Sequence, residues 1–306
     1  MSTLVIGGSG FIGRQLCKSL IEDGREIVVQ TRNIKKTQAI FDKLQCSPTL
    51  IDKLDDLGHF EGSLNNIISL TGAGIIDRRW TQACKEALIE SRTQPLLDIK
   101  EWLQKRNIAI EKVLVGSAIG FYGFSDDPNE EFTESSQHYE HFSHHLCQQL
   151  EGTANQLDRV AESVVQLRTG VVLGKNGGAL RKMAIPAKFH LNGPIGDGKH
   201  WVSWIHMQDW IHAVKYILSL ETPRHRYNLV SPQPATNAQL SNIIAKTLGK
   251  KFQFPISDTF LKFLIGEGAI LLTGSQKVIP ANLTAANFEF QYSDIEIACQ
   301  DLLLKQ

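Results

Sequence analysis

The tightest constraint on this chain lies at its start, where the apolar run Leu4 to Ile6 leads straight into Gly7, Gly10 and Gly13, and Phe11, Ile12, Leu16 and Leu20 follow at helical spacing. That order predicts a strand, a glycine turn and a helix. In such a unit the first glycine permits the tight turn, the second lets the backbone approach a pyrophosphate, and the third lets helix and strand pack closely. Phosphates settle on the unpaired N–H groups of the helix N-terminus, where the macrodipole also favours negative charge. The helix is expected to end at Asp23-Gly24, with Gly24 as its C′ residue. A packing turn without a ligand is the alternative.

The next strand, Ile27 to Gln30, ends in Thr31-Arg32-Asn33, where the adenosine ribose would lie. An acid there would hold the ribose 2′-hydroxyl of NAD, whereas an arginine suits the 2′-phosphate of NADP. The tip carries no acid, so Arg32 points to NADP(H) rather than to a merely solvated side chain.

The chain has 306 residues, room for one large α/β domain or for a dinucleotide domain and a smaller lobe. Its 32 basic and 32 acidic residues cancel, so no global field favours nucleic acid or an anionic membrane, and a small molecule is the expected partner. Cys17, Cys46, Cys84, Cys147 and Cys299 show no close pair or metal-ligand spacing and read as reduced thiols of a cytoplasmic protein. No apolar run reaches the roughly 18 residues of a membrane span, and the N-terminus reads as a core strand rather than a signal peptide.

Further strands are expected at Thr49 to Ile51, Asn66 to Leu70, Lys112 to Val115 and Val164 to Leu167. Helices are expected at Lys35 to Leu44, Thr81 to Lys105 and Phe142 to Leu157, the second with Leu88, Leu96, Ile99, Trp102 and Leu103 inward. Phe124 to Tyr139 is acidic and turn-rich and reads as an exposed loop. Six alternating β/α steps imply an α/β fold with a doubly wound parallel sheet of Rossmann type. Residues 1–168 would form this domain, with later segments able to return to the sheet. Residues 169–306 would form a smaller, mainly helical substrate lobe, with a small C-terminal domain from about residue 250. Within it Thr236 should cap a helix ending near Gly249, Ser257 to Leu272 reads as helix, and Ser293 should cap a short terminal helix.

With these motifs in view the chain resembles the extended short-chain dehydrogenase/reductases, and more closely their atypical branch of NAD(P)-dependent epimerase-like proteins. The closer resemblance rests on TGAGIIDRRWT at 71–81, GSAIGFYG at 116–123, RTGVVLG at 168–174, GGALRKM at 177–183 and LNGPIGDGKHWVSWIHMQD ending at 209. SQKVIPANL at 275–283 is similar to the small C-terminal domain of unknown function found in this branch. The resemblance implies cofactor contacts from Gly7, Gly10, Phe11, Ile12 and Gly13 at the pyrophosphate and from Thr31 and Arg32 at the 2′-phosphate. It places Leu70, Thr71 and Gly72 along the riboses, and makes Glu86 and Arg92 cofactor-facing, against a plain exposed helix charge pair. It also implies a homodimer built on the Thr81–Lys105 and Phe142–Leu157 helices, and a nucleotide sugar as the class of substrate.

Extended relatives use a Ser or Thr after the fifth strand and a Tyr-x-x-x-Lys on the next helix, with Tyr as acid/base. Ser117 fits the first role, but no Tyr-x-x-x-Lys follows it. Taking Glu151 as the glutamate that trails the lysine by four residues puts Ser143 in the tyrosine place and Cys147 in the lysine place. A seryl hydroxyl ionises far above tyrosine, and a neutral thiol supplies no cation, so neither replaces the pair. Tyr122, Tyr139, His144 and His145 are the nearby groups that could compensate, Tyr122 more readily as a pocket wall.

Arg78 and Arg79 could clamp a substrate anion or form a surface ion-pair cluster. Asp209 is expected to cap the following helix, with His206 a core histidine or a substrate-pocket residue. His138, His141, His144 and His145 lack a cysteine or carboxylate constellation and read as solvated residues, so no metal is expected. The leading expectation is an NADP(H)-dependent epimerase-like oxidoreductase with an atypical site. A non-catalytic NADP(H)-bound sensor or scaffold is the alternative.

Overall fold

A computed structural model describes residues 2–59, 64–175, 177–188, 193–250 and 254–304. The first half alternates β1 (Ser2–Ile6), α1 (Phe11–Glu22), β2 (Glu26–Gln30), α2 (Ile34–Lys43), β3 (Thr49–Ile51), β4 (Leu64–Ser69), α3 (Gln82–Arg106), β5 (Ile110–Ala118), α4 (Phe142–Ala154) and β6 (Ala161–Thr169). Then follow β7 (Val171–Gly174), α5 (Gly178–Lys188), β8 (Trp201–Val202), β9 (Trp204–His206), α6 (Met207–Ser219), β10 (Arg226–Leu229), β11 (Ala235–Thr236) and α7 (Asn237–Thr247). The chain closes with α8 (Asp258–Ile265), α9 (Ile270–Thr273), α10 (Ala281–Ala285) and α11 (Ile295–Leu304).

The main sheet is parallel and seven-stranded, in the order β10-β6-β5-β4-β1-β2-β3. The chain winds outward from β1 to β3 and then returns to β4 on the other side of β1. This reversal opens a crevice beyond the carboxyl ends of β1 and β4, the place where such sheets hold ligands. The glycine turn stands there.

The central strands carry buried runs because helices cover both faces. On one face Leu16 and Leu20 of α1, Phe41 of α2 and Trp210, Val214 and Ile217 of α6 share a core with Val5 and Val29. On the other, Leu96, Ile99, Trp102 and Leu103 of α3 meet Leu150 and Ala154 of α4 over Leu4, Ile67 and Val113. Each such side chain contributes about 1.5–3 kcal/mol when fully buried. Helix α3 lies where the sequence places it: the Thr81 hydroxyl accepts from the Cys84 N–H, and Asn107 ends the helix in the left-handed region. A separate core of Leu173, Leu180, Trp204, Leu240, Ile244 and Leu302 binds the second half together.

The seventh strand, β10, comes from residues assigned by sequence to the second lobe and returns to pair with β6. Asp209 is not a cap. His206 occupies that position, its Nδ1 accepting from the Gln208 N–H, while the Asp209 carboxylate inside α6 accepts from the N–H groups of Gln291 and Tyr292. At the terminal helix the N–H groups of Glu296 and Ile297 are taken by Asp294 rather than Ser293. The expected 257–272 helix breaks at Gly266, whose φ of 66° lies outside the helical region. Among the described residues no helix is long and apolar enough to cross a membrane.

Candidate functional site

The cradle forms where the Gly7 turn closes on the end of β4. A Cβ on Gly7 would sit 2.6 Å from the Leu70 carbonyl oxygen, and one on Gly13 would overlap the Gly7 carbonyl oxygen. Both positions therefore need glycine for close approach. Gly10 caps α1 without a side-chain hydrogen bond, and no acid stands in the first turn, so the N–H dipoles of that helix meet neither a side-chain cap nor a first-turn carboxylate. Arg14, one turn in, has a buried Nε with no hydrogen-bond partner among the described residues. Arg32 is exposed at the end of β2, and Thr31 beside it shares a hydroxyl hydrogen bond of 2.7 Å with Thr37. The helix N-terminus, an orphaned guanidine nitrogen and an exposed arginine at the β2 tip are a donor set that fits the phosphates of a nicotinamide dinucleotide.

Phe11 divides its roles: its backbone belongs to the turn, while its ring lies against Gly174 and Gly178, joining the cradle to the second lobe. Ile12 packs on the α1 core. At the end of β4, Gly72 is crossed by Arg92, whose Nη2 donates to the Ala73 carbonyl at 2.8 Å and Nη1 to the Leu88 carbonyl at 2.9 Å. Glu86 is not brought to this place. Six residues from Arg92 it lies about 240° around the helix, exposed, accepting from Gln82 at 2.8 Å.

Across the crevice, β5 and α4 bring Ser117, Ser143, Cys147 and Glu151 together, as the sequence register requires. Ser117 donates to Glu151 Oε1 at 2.8 Å, and Arg168 from β6 grips the same carboxylate with Nε at 2.9 Å and Nη2 at 2.8 Å. Arg168 Nη1 donates to the Tyr122 hydroxyl at 3.0 Å, and that hydroxyl donates to Asn228 at 2.7 Å. The Arg168 guanidinium also lies 3.4 Å from the centre of the Phe121 ring. Burial pushes the Tyr122 phenol up despite the Arg168 charge. Ser143 bonds to His141 Nδ1 at 3.0 Å. Burial and the Glu151 charge push the Cys147 thiol up to about 11, so it stays neutral.

Residues 3–229 match the model of the NAD dependent epimerase/dehydratase family, and residues 257–302 match a domain of unknown function, DUF1731. The chain belongs to the NAD dependent epimerase/dehydratase family. Its relatives include epimerase family protein YfhF of Bacillus subtilis, 29% identical over 307 residues covering 99% of this chain and 98% of that one. Human epimerase family protein SDR39U1, solved with NADPH, superposes with a TM-score of 0.88 at 26% identity over the full length of both chains. A nucleoside-diphosphate sugar epimerase of Corynebacterium glutamicum gives a TM-score of 0.75 at 26% identity, covering 99% of this chain and 58% of the other.

In this epimerase-family chain several sequence expectations shift. Tyr122 is fully buried, held between Arg168 and Asn228 and stacked on Phe132, so its hydroxyl is taken up by that network. Arg79 donates to the Phe263 and Leu264 carbonyls at the end of α8, which makes it a clasp on the C-terminal domain rather than an anion clamp. Arg78 is exposed. His206 is buried as a helix cap, stacked on Tyr292 and 3.4 Å from Asp301, away from any open surface. Burial lowers it to about 4. Tyr139 donates to Glu130 at 2.7 Å in the acidic loop, and His144 is buried, not solvated. Arg168 and Asn228 were missed by sequence reasoning, as was Glu134, which is buried within the segment expected to be an exposed loop and accepts from the Asn228 N–H at 2.9 Å. One signal was there: an arginine opening RTGVVLG on a core strand.

Proposed function

We propose that this chain binds NADP(H) on the Gly7–Gly13 turn and acts on a small polar substrate of the nucleotide-sugar class, by reversible oxidation at a carbinol carbon. The observation that supports it most is the cradle at the β1/β4 switch point, with Arg32 at the β2 tip and no acid there. The NADPH-bound human relative and the nucleoside-diphosphate sugar epimerase support the same reading.

Gly7, Gly10 and Gly13 would hold the pyrophosphate, Arg14 and Arg32 the phosphate groups, and Thr71 and Gly72 the ribose edge. The nicotinamide, when bound, supplies the hydride acceptor or donor. Ser117 donates its hydrogen bond to Glu151, so its oxygen would accept from a substrate hydroxyl. A proton released there passes to the Ser117 oxygen as the Ser117 proton passes to Glu151 Oε1. Arg92, held at the end of β4 by the Leu88 and Ala73 carbonyls, would place a positive charge beside the ribose edge.

A second reading, an NADP(H)-bound sensor or scaffold without turnover, is favoured by one observation: among the described residues the two tyrosines nearest Ser117 in sequence, Tyr122 and Tyr139, are both engaged elsewhere. The experiment is to incubate the full chain with NADP+ or NADPH and a panel of nucleotide sugars, following absorbance and solvent hydrogen exchange into the sugar. Turnover abolished by Ser117→Ala supports the enzyme; tight cofactor binding with no turnover and no exchange for any sugar supports the sensor.

A further inference from the structure

The segment entering α4 carries a cluster that the cofactor site does not use. His138 and Glu140 are exposed, His144 is 1% exposed on the first turn of α4, and their ligating atoms all lie within 4.8 Å of one another. His144 Nδ1 is 2.6 Å from the Phe121 carbonyl oxygen. A carbonyl only accepts, so Nδ1 carries the proton and Nε2 presents a lone pair. That Nε2 is buried and has no hydrogen-bond partner among the described residues.

A buried acceptor left without a donor or a metal is costly to keep. A ring nitrogen fixed by a backbone carbonyl while the other nitrogen stays free is also how proteins hold a metal-ligating histidine. His138 Nε2 and Glu140 Oε1, 3.3 Å apart, complete the set. The His138 ring lies flat on His144, with centroids 3.6 Å apart and 5° between planes, so in this pose the two lone pairs run side by side. Both outer ligands are free to turn: the side chains of His138 and Glu140 are 36% and 85% exposed. His144 is fixed; its partners can close on it.

We propose that His138, Glu140 and His144 form a site for a divalent cation of the zinc class, with water completing a four-coordinate shell. Two imidazoles and one carboxylate suit Zn²⁺, whereas Mg²⁺ and Ca²⁺ take all-oxygen shells. Binding exchanges the His138–His144 stack for two nitrogen–metal bonds and ties residues 138–140 to α4. His141 lies next to this segment, caps α4 through Ser143 and packs its ring on Trp80 and Phe124. The ion would therefore fix the loop that delivers Ser143 to the crevice.

The test uses the full-length chain, stripped with chelator and titrated with ZnCl2 by calorimetry, with CoCl2 absorption reporting the coordination. One equivalent should bind with micromolar or tighter affinity, and MgCl2 should not compete. His138→Ala and Glu140→Ala, both at exposed positions and so compatible with folding, should each weaken binding by about tenfold or more. His145→Ala, the exposed neighbour outside the cluster, should not. His144→Gln should lose binding, with circular dichroism checking its fold. No saturable Zn²⁺ binding, or equal losses for His145→Ala and His138→Ala, would overturn the site.

Discussion

Arg168 and Glu151 form a two-pronged ion pair beneath Ser117, Nε to Oε1 at 2.9 Å and Nη2 to Oε2 at 2.8 Å, with no exposed surface on the arginine. Glu151 is thereby fixed on both oxygens while it receives the Ser117 proton, and Arg168 carries the hydrogen-bond chain on to Tyr122 and Asn228. Breaking a buried pair by removing one partner leaves an uncompensated charge and costs about 3–5 kcal/mol. Arg168→Met should show a loss of that size in urea unfolding, and the double variant Arg168→Met with Glu151→Leu should recover much of it. A double variant as unstable as the sum of the two single ones would show that the pair is not coupled.

The glycine cradle makes a steric prediction. Gly13→Ala places a methyl on the Gly7 carbonyl oxygen, so turn and helix must part. A stability loss of about 1–3 kcal/mol is expected, together with loss of nucleotide binding. Gly152→Ala, with nothing within 4 Å of the added carbon in α4, is the contrasting case and should stabilise by about 0.5–1 kcal/mol. Similar effects from the two would contradict the close approach.

His206 gives a pH dependence. Burial lowers it from 6.5 to about 4, so in the folded chain it stays neutral while the unfolded chain takes up a proton. Its contribution is complete above pH about 6.5 and is lost as pH falls toward 4, roughly 2–3 kcal/mol over the window. His206→Asn keeps a capping acceptor and removes the titration. Urea midpoints of the variant between neutral pH and pH 4.5 should fall less steeply than those of the wild type; parallel slopes would assign the acid sensitivity elsewhere.

Arg79→Ala tests the clasp on α8. It removes two hydrogen bonds to the Phe263 and Leu264 carbonyls, worth about 1 kcal/mol each. Faster proteolysis within residues 254–275 with unchanged NADPH affinity is expected. Unchanged protease resistance would contradict the clasp.

What the sequence made legible follows from how local each signal was. Thr81 and Thr236 cap their helices because a hydroxyl before a helical run meets nearby backbone N–H groups, and Thr236 adds a capping box with Gln239. Leu88, Leu96, Ile99, Trp102 and Leu103 are buried as their spacing requires. β10 was unreadable because its partner, β6, lies some sixty residues earlier and its four residues carry no length signal. Asp209 shows the same limit: beside a helix start it reads as a cap, yet its partners are Gln291 and Tyr292. Glu151 was legible only as a register mark. Its partner Arg168 is adjacent in space alone, and a charge is tolerated on a core strand because another element supplies the counter-charge.

The most direct test of the account is the affinity of the purified chain for NADPH and NADH, measured by calorimetry on the wild type and on Arg32→Glu. The cradle predicts that the wild type prefers NADPH by roughly tenfold or more, and that Arg32→Glu loses most of that preference while NADH binding changes little. No binding of either nucleotide, or equal losses for both in Arg32→Glu, would contradict it.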